Sequence, residues 1–151
     1  MNANIRFVDL GLTSGTLWDN KNIGADHITD AGIYISFPET FFYKDKNYHI
    51  PTKGQFEELI RECKWKWIEE NGMFGYRITG KNGAYIFLPA AGYFNGTSLY
   101  RSGTYGVYWS TTCRYGFLAH YLYFDSYNVG IYSNSQCRGM QIRLVTNSTY
   151  E

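Results

Sequence analysis

The side chains best suited to nucleophilic or metal chemistry in this 151-residue sequence are three cysteines, Cys63, Cys113 and Cys137, and three histidines, His27, His49 and His120. Their spacing matches neither a zinc site nor a small disulfide framework. A Cys113–Cys137 bridge stays open at this level, and the histidines read as solvated or hydrogen-bonded residues. Tyrosine offers a different kind of chemistry. Nine of the 15 tyrosines fall between Tyr93 and Tyr132, interleaved with Ser, Asn and Gly, as in "DSYNVGIYSNSQCRG". Each buried phenol needs a hydrogen-bond partner, so this density exceeds what a core requires. Tyr beside Ser, Gly and Asn suits surfaces that bind, because a stiff amphipathic ring gives contact area at low entropic cost. Arg114 and Arg138 add forked donors and cation–π partners to that set.

The totals narrow the partners. With Lys+Arg 14 against Asp+Glu 13, the net charge of +1 supplies no footprint for nucleic acid. No apolar run approaches the ~20 residues of a membrane span, so no membrane insertion is expected, and the opening "MNANIRFVDLG" lacks the layout of a secretory signal. The length suits one domain over 1–151 that buries about two-thirds of its unfolded surface.

Several elements must position those tyrosines. "IRFVDLGL" reads as a strand, followed by a turn at "TSGT"; the pattern from Asp19 to Lys46 is weak, with a short helical turn expected near Ile28–Tyr34. "PTKGQFEELIREC" carries the one convincing helix. Thr52 and Gln55 are spaced for a capping box, Phe56, Leu59, Ile60 and Cys63 form an apolar stripe, and Glu57, Glu58, Arg61 and Glu62 are expected to face water. Beyond it, Asn71-Gly72 signals a tight hairpin and Asn82-Gly83 a second turn, with Trp65, Trp67 and Ile68 in a short strand or the helix exit and strands at Tyr76–Thr79 and Tyr85–Leu88. "GTYGVYWSTT", "AHYLYFDS" and "GMQIRLV" read as later strands, the last two enclosing residues 125–139, which show no clear secondary-structure period and suit a tail, a solvated loop or a contact surface. Alternation in "AHYLYFD" sends Leu122 and Phe124 inward and Tyr121, Tyr123 and Asp125 outward. One helix followed by many short strands is an α+β order.

The pieces "VDLGLTSGTLW", "NIGA", "IPTKGQFEELI", "NGMFGYRITGKNGAYIFLPAAGYFNGTSLY", "GVYWSTT", "YLYFDSYNV" and "IRLV" fall in order over nearly the whole chain. Together they resemble a large bacterial paralogous-domain family similar to the C-type lectin fold and to the formylglycine-generating enzymes. Some members serve as variable proteins of diversity-generating retroelements. The resemblance implies a C-type lectin-like α+β domain with its N- and C-terminal strands paired. One long capped helix would pack on a mixed, mostly antiparallel sheet, with a loop-rich C-terminal half. In the variable members adenines of template codons are rewritten, so Asn codons yield Tyr, Ser, Asp, His, Gly, Arg and Cys on a fixed scaffold. Residues 111–141 contain that assortment, within a variable, ligand-binding region expected over about 105–141.

On this reading the chain is a non-enzymatic binding module whose outward candidates are Tyr105, Arg114, Tyr115, Phe117, Tyr121, Tyr123, Asp125, Tyr127, Tyr132, Gln136 and Arg138. Its partner would be an unknown protein or carbohydrate, and the resemblance implies an extracellular place, on a bacterial cell surface or a phage virion. No cofactor is expected. The Glu-Pro-Asn loop and Trp-Asn-Asp strand that carry calcium-dependent sugar binding in C-type lectins do not occur. Two alternatives compete: a non-diversified surface module that binds carbohydrate or protein, and a formylglycine-generating-like enzyme. The second would require a reactive cysteine pair, for which Cys113 and Cys137 lack the family's sequence context.

Overall fold

Thr52 opens α1 (Lys53–Glu62), the single helix among the described residues, through both halves of a capping box: Gln55 N–H donates to Thr52 Oγ1 at 3.1 Å and Thr52 N–H to Gln55 Oε1 at 2.9 Å. Cys63 turns extended and ends it, so the chain enters the next strand without a loop. Phe56 and Leu59 are buried as their spacing predicts. The acidic face departs from expectation. Glu58 is buried, because its carboxylate accepts from Ser14 N–H at 2.9 Å and Ser14 Oγ at 2.7 Å, and Glu62 accepts from Thr13 N–H at 2.9 Å. These two carboxylates staple the "TSGT" turn to the helix and satisfy amides that a tight turn leaves unpaired.

The computed structural model describes residues 6–36, 47–114, 118–135 and 138–147. Among these described residues, eleven strands form four antiparallel groups. β1 (Phe7–Asp9), β2 (Leu17–Asp19) and β11 (Val145–Thr146) make the first, in the order β1-β2-β11. The first and last strands therefore share a sheet but do not pair directly. The Leu12–Gly15 reversal returns β2 against β1, and β2 takes the place beside β11. β3 (Lys64–Glu70), β4 (Met73–Thr79) and β5 (Tyr85–Pro89) form a meander. Its first turn is Asn71-Gly72, with φ of 51° and 80° as a tight two-residue hairpin requires. β6 (Tyr93–Asn95) and β7 (Ser98–Tyr100) are a separate hairpin.

The third three-stranded sheet, order β10-β9-β8, comprises β8 (Gly106–Arg114), β9 (Leu118–Phe124) and β10 (Val129–Ser135). Here the stretch 125–139, which shows no clear period in the sequence, is largely a strand: β10 pairs over its whole length with β9. A turn closes this hairpin, with Asp125 N–H donating to Asn128 O at 3.0 Å and Asp125 Oδ1 accepting from the amides of Tyr127 and Asn128, each at 2.8 Å. The run 139–142 is not a regular strand; it bridges to Phe94, Ile35 and, in parallel, Tyr108. Near Ile28–Tyr34 no helix forms, only one hydrogen-bonded turn at its start, with Asp30 N–H donating to His27 O at 3.1 Å. Gly24 and Gly32 both take positive φ there, and Ile33 N–H bonds back to Ile23 O at 3.0 Å.

The β8–β10 sheet is covered on both faces. Leu122, Phe124 and Tyr108 join α1 and the β3–β5 meander in one apolar cluster, while Val107, Trp109 and Ala119 join Ile35, Met140 and Ile142 in a second. Phe124 lies directly over Gly106, where an added Cβ would come within 2.0 Å of the ring. Between the layers sits Arg143, fully buried. Its Nε donates to Asn22 Oδ1 at 2.9 Å, one terminal nitrogen to Asp19 O at 3.0 Å and the other to Phe87 O at 2.7 Å.

Arg143→Ala would leave those buried acceptors without a donor and is expected to cost about 3–5 kcal/mol, read from a urea denaturation curve. Leu122→Ala and Phe124→Ala should each cost about 2–5 kcal/mol in the same assay. A loss below about 1 kcal/mol at either apolar position would mean the β9 register is misassigned.

Candidate functional site

Register places the tyrosines together. Across the third sheet Trp109 pairs with Tyr121 and Tyr121 with Tyr132, while Tyr123 lies between Val107 and Gly130. All of these point to the second apolar cluster's side of the sheet, since alternate residues share a face. Tyr132 leans over Gly130, where an added Cβ would sit 3.3 Å from its ring. That lean brings it edge-on to Tyr123, with centroids 5.6 Å apart. Tyr105 meets the other side of Tyr123 edge-to-face at 5.0 Å, and Tyr121 meets Trp109 likewise at 6.3 Å. Each such pair adds about 0.5–1.5 kcal/mol beyond its buried area.

A cleft of about 80 Å³ opens among these rings. It is lined by the rings of Tyr93, Tyr105, Tyr121 and Tyr123, by Arg138, and by the buried Val107 and Met140. Arg138 rests over the Tyr93 ring at 4.8 Å, and Arg101 over Tyr105 at 5.3 Å. Tyr93 in turn stacks on Tyr100 at 5.7 Å.

Asp125 is occupied with structure. Besides accepting the two turn amides, its Oδ2 accepts from the Tyr123 hydroxyl at 2.7 Å. These hydrogen bonds, Tyr123's first, hold the Asp125 carboxyl below its ordinary pKa. Burial and then the Asp125 contact push the Tyr123 phenol above its own. Desolvation likewise raises Cys63 to about 11, which makes that half-buried thiol a poor nucleophile.

Of the residues expected to face outward, Tyr105, Tyr121, Tyr123, Tyr132 and Arg138 converge on this one surface. Tyr121 and Tyr123 are half-buried rather than projecting, because the second cluster packs beneath them. Tyr127 stands apart at the hairpin turn, 89% exposed. Arg114 closes β8 opposite Leu118. Tyr115, Phe117, Gln136 and Cys137 lie outside the described residues. Sequence reasoning missed Tyr93 and Met140. They reach the cleft because Phe94 and Gly139 exchange backbone hydrogen bonds of 2.9 Å, a contact across 45 positions with no local signature. Other tyrosines of the dense segment serve the core: Tyr108 is sealed with its hydroxyl donating to Pro89 O at 2.9 Å.

Residues 76–145 match a family model described as a domain of unknown function (DUF8237). No curated protein and no solved structure matches the chain. Among the described residues, no helix is long and apolar enough to cross a membrane.

Tyr123→Phe removes the hydroxyl donated to Asp125 and should cost about 1 kcal/mol, whereas Tyr127→Ser should stay within about 0.5 kcal/mol. The lowered Asp125 pKa means the folded state holds fewer protons than the unfolded chain. Its stabilisation is therefore present above the ordinary carboxylate range and is lost as pH falls through the folded value. Denaturation across that acid range should show Asp125→Asn losing less stability than the parent chain; identical acid limbs would contradict the assignment.

Proposed function

We propose that this chain is a non-enzymatic ligand-binding domain that displays a diversified, tyrosine-rich surface on a C-type lectin-like scaffold, as a variable protein of a diversity-generating retroelement. The observation that carries the reading is the convergence of Tyr105, Tyr121, Tyr123 and Arg138 on one cleft, with Tyr132 packed edge-on against Tyr123 beside it. Tyr and Arg are the residues over-represented where binding energy concentrates. The α+β architecture supports the scaffold, with one capped helix and first and last strands in a common sheet. So does the split within β9, where Leu122 and Phe124 are sealed in the core while the intervening tyrosines reach the surface. Such a division lets surface residues change without disturbing packing. The partner is a protein or carbohydrate outside the producing cell, met on a bacterial surface or a phage virion.

The test has a genomic and a binding arm. A near-copy of the DNA encoding residues 105–141, beside a reverse-transcriptase gene, should differ from it only at adenines, with Leu122, Phe124, Val107 and Met140 unchanged. On arrays of surface proteins and glycans, a Tyr105→Ala/Tyr132→Ala double variant should lose the parent's binding while its thermal midpoint stays within a few degrees. A locus with no such copy would remove diversification. Unaltered binding by the double variant would remove the tyrosine surface as the site.

A further inference from the structure

The cleft itself carries information about what enters it, and the following rests on the binding reading above. The cleft offers about 80 Å³, several times the ~10–15 Å³ that one water needs on the same measure, so it admits the end of a side chain or a comparably small group. Its buried lining, Val107 and Met140, is apolar. Its walls are tyrosine rings, whose faces alone would favour a cation. Arg138 reverses that preference, because its guanidinium already covers the Tyr93 face. A second cation would meet this charge across a partly desolvated gap.

Stacking uses the flat face of a guanidinium and leaves the N–H groups along its edge free to form a fork. Ion pairs among the described residues join Lys53 to Glu57, Arg61 to Glu62 and Arg77 to Glu70, and none reaches Arg138. Asp125, on the neighbouring turn, is engaged by Tyr123, Tyr127 and Asn128. Arg101 over Tyr105 adds a second positive group to the surround.

We propose that this cleft receives the carboxylate and short methylene stem of an acidic side chain, Asp or Glu, presented by a partner protein, with Arg138 as the carboxylate fork and Val107 and Met140 as the bed for the stem. An acyclic methylene stem suits the apolar bed of Val107 and Met140 better than a uronic acid, whose ring carries hydroxyls that would be desolvated there. Tyr105 and Tyr123 then wall the stem and keep water from the ion pair, which strengthens it.

The experiment is an NMR titration of the full chain, following the Arg138 Nε–H and the amides of Val107 and Met140. The probes are N-acetyl-glutamate amide, N-acetyl-glutamine amide and glucuronate. The acidic probe should produce saturable shifts at these three positions in the millimolar range usual for so small a fragment. The glutamine isostere should bind at least about tenfold more weakly, as expected when a charge-assisted fork is replaced by a neutral contact. Arg138→Gln should abolish the response and Arg138→Lys should retain part of it, with both spectra otherwise superimposing on the parent. Equal shifts with glutamate and glutamine probes, or an unchanged response in Arg138→Gln, would overturn the proposal. A stronger response to glucuronate would overturn the choice of a protein side chain. A null titration alongside array binding that still depends on Tyr105 and Tyr132 would end this inference and leave the broader binding reading standing.

Discussion

One buried cation organises this molecule. Arg143 has no contact with solvent, and its donors reach Asn22 and the Asp19 carbonyl on one segment and the Phe87 carbonyl on another, both distant from it in sequence. Burial works against its charge, opposed by the nearby Tyr108 and Asp19, and the same burial raises the Asp19 carboxyl above its usual pKa. An ion so enclosed is tolerable only where its donors meet well-placed acceptors. Asn22 extends the arrangement by donating to the Tyr108 hydroxyl and to Ala31 O, each at 3.0 Å. The first sheet, the irregular segment after it, the end of β5 and the start of β8 are thereby fixed to one another. The tyrosine surface inherits its geometry from that junction, since β8 supplies both Tyr108 below and Val107 above.

A second set of contacts fixes the outer hairpin. Tyr76 sits edge-on to Trp65, Trp67 and Phe124, and its hydroxyl donates to Asp125 O at 2.8 Å. The turn between β9 and β10 is thus held from one side by a core phenol and from the other by Tyr123. This explains why so many tyrosines coexist in a small domain. Some serve as hydrogen-bonding core residues, others as rings aligned at the surface, and several touch both environments.

Much of the local structure was legible because its determinants are short-range. The capping box at Thr52 and Gln55, the hairpin at Asn71-Gly72 and the alternation of Leu122 and Phe124 all act within a few residues. The misses share a different origin. Glu58 and Glu62 looked like a solvated helix face, since nothing near them announces that the Ser14 turn will dock there. The β10 strand was hidden because Ser, Asn and Gly have weak strand preference, and its order comes from pairing with β9. The cleft was only half visible: the odd-numbered tyrosines of β9 could be assigned a common side, but Tyr93 and Met140 arrive through long-range bridges.

The two-sided burial of the β8–β10 sheet has a consequence for how this region tolerates change. Inserting or deleting a single residue within β9 would exchange the partners of every position beyond it, sending phenols beneath α1 and Leu122 and Phe124 toward the cleft. Replacement of one amino acid by another on the cleft side imposes no such shift. The strand is accordingly permissive in composition and unforgiving in length, so its history should be written in substitutions and almost never in gaps.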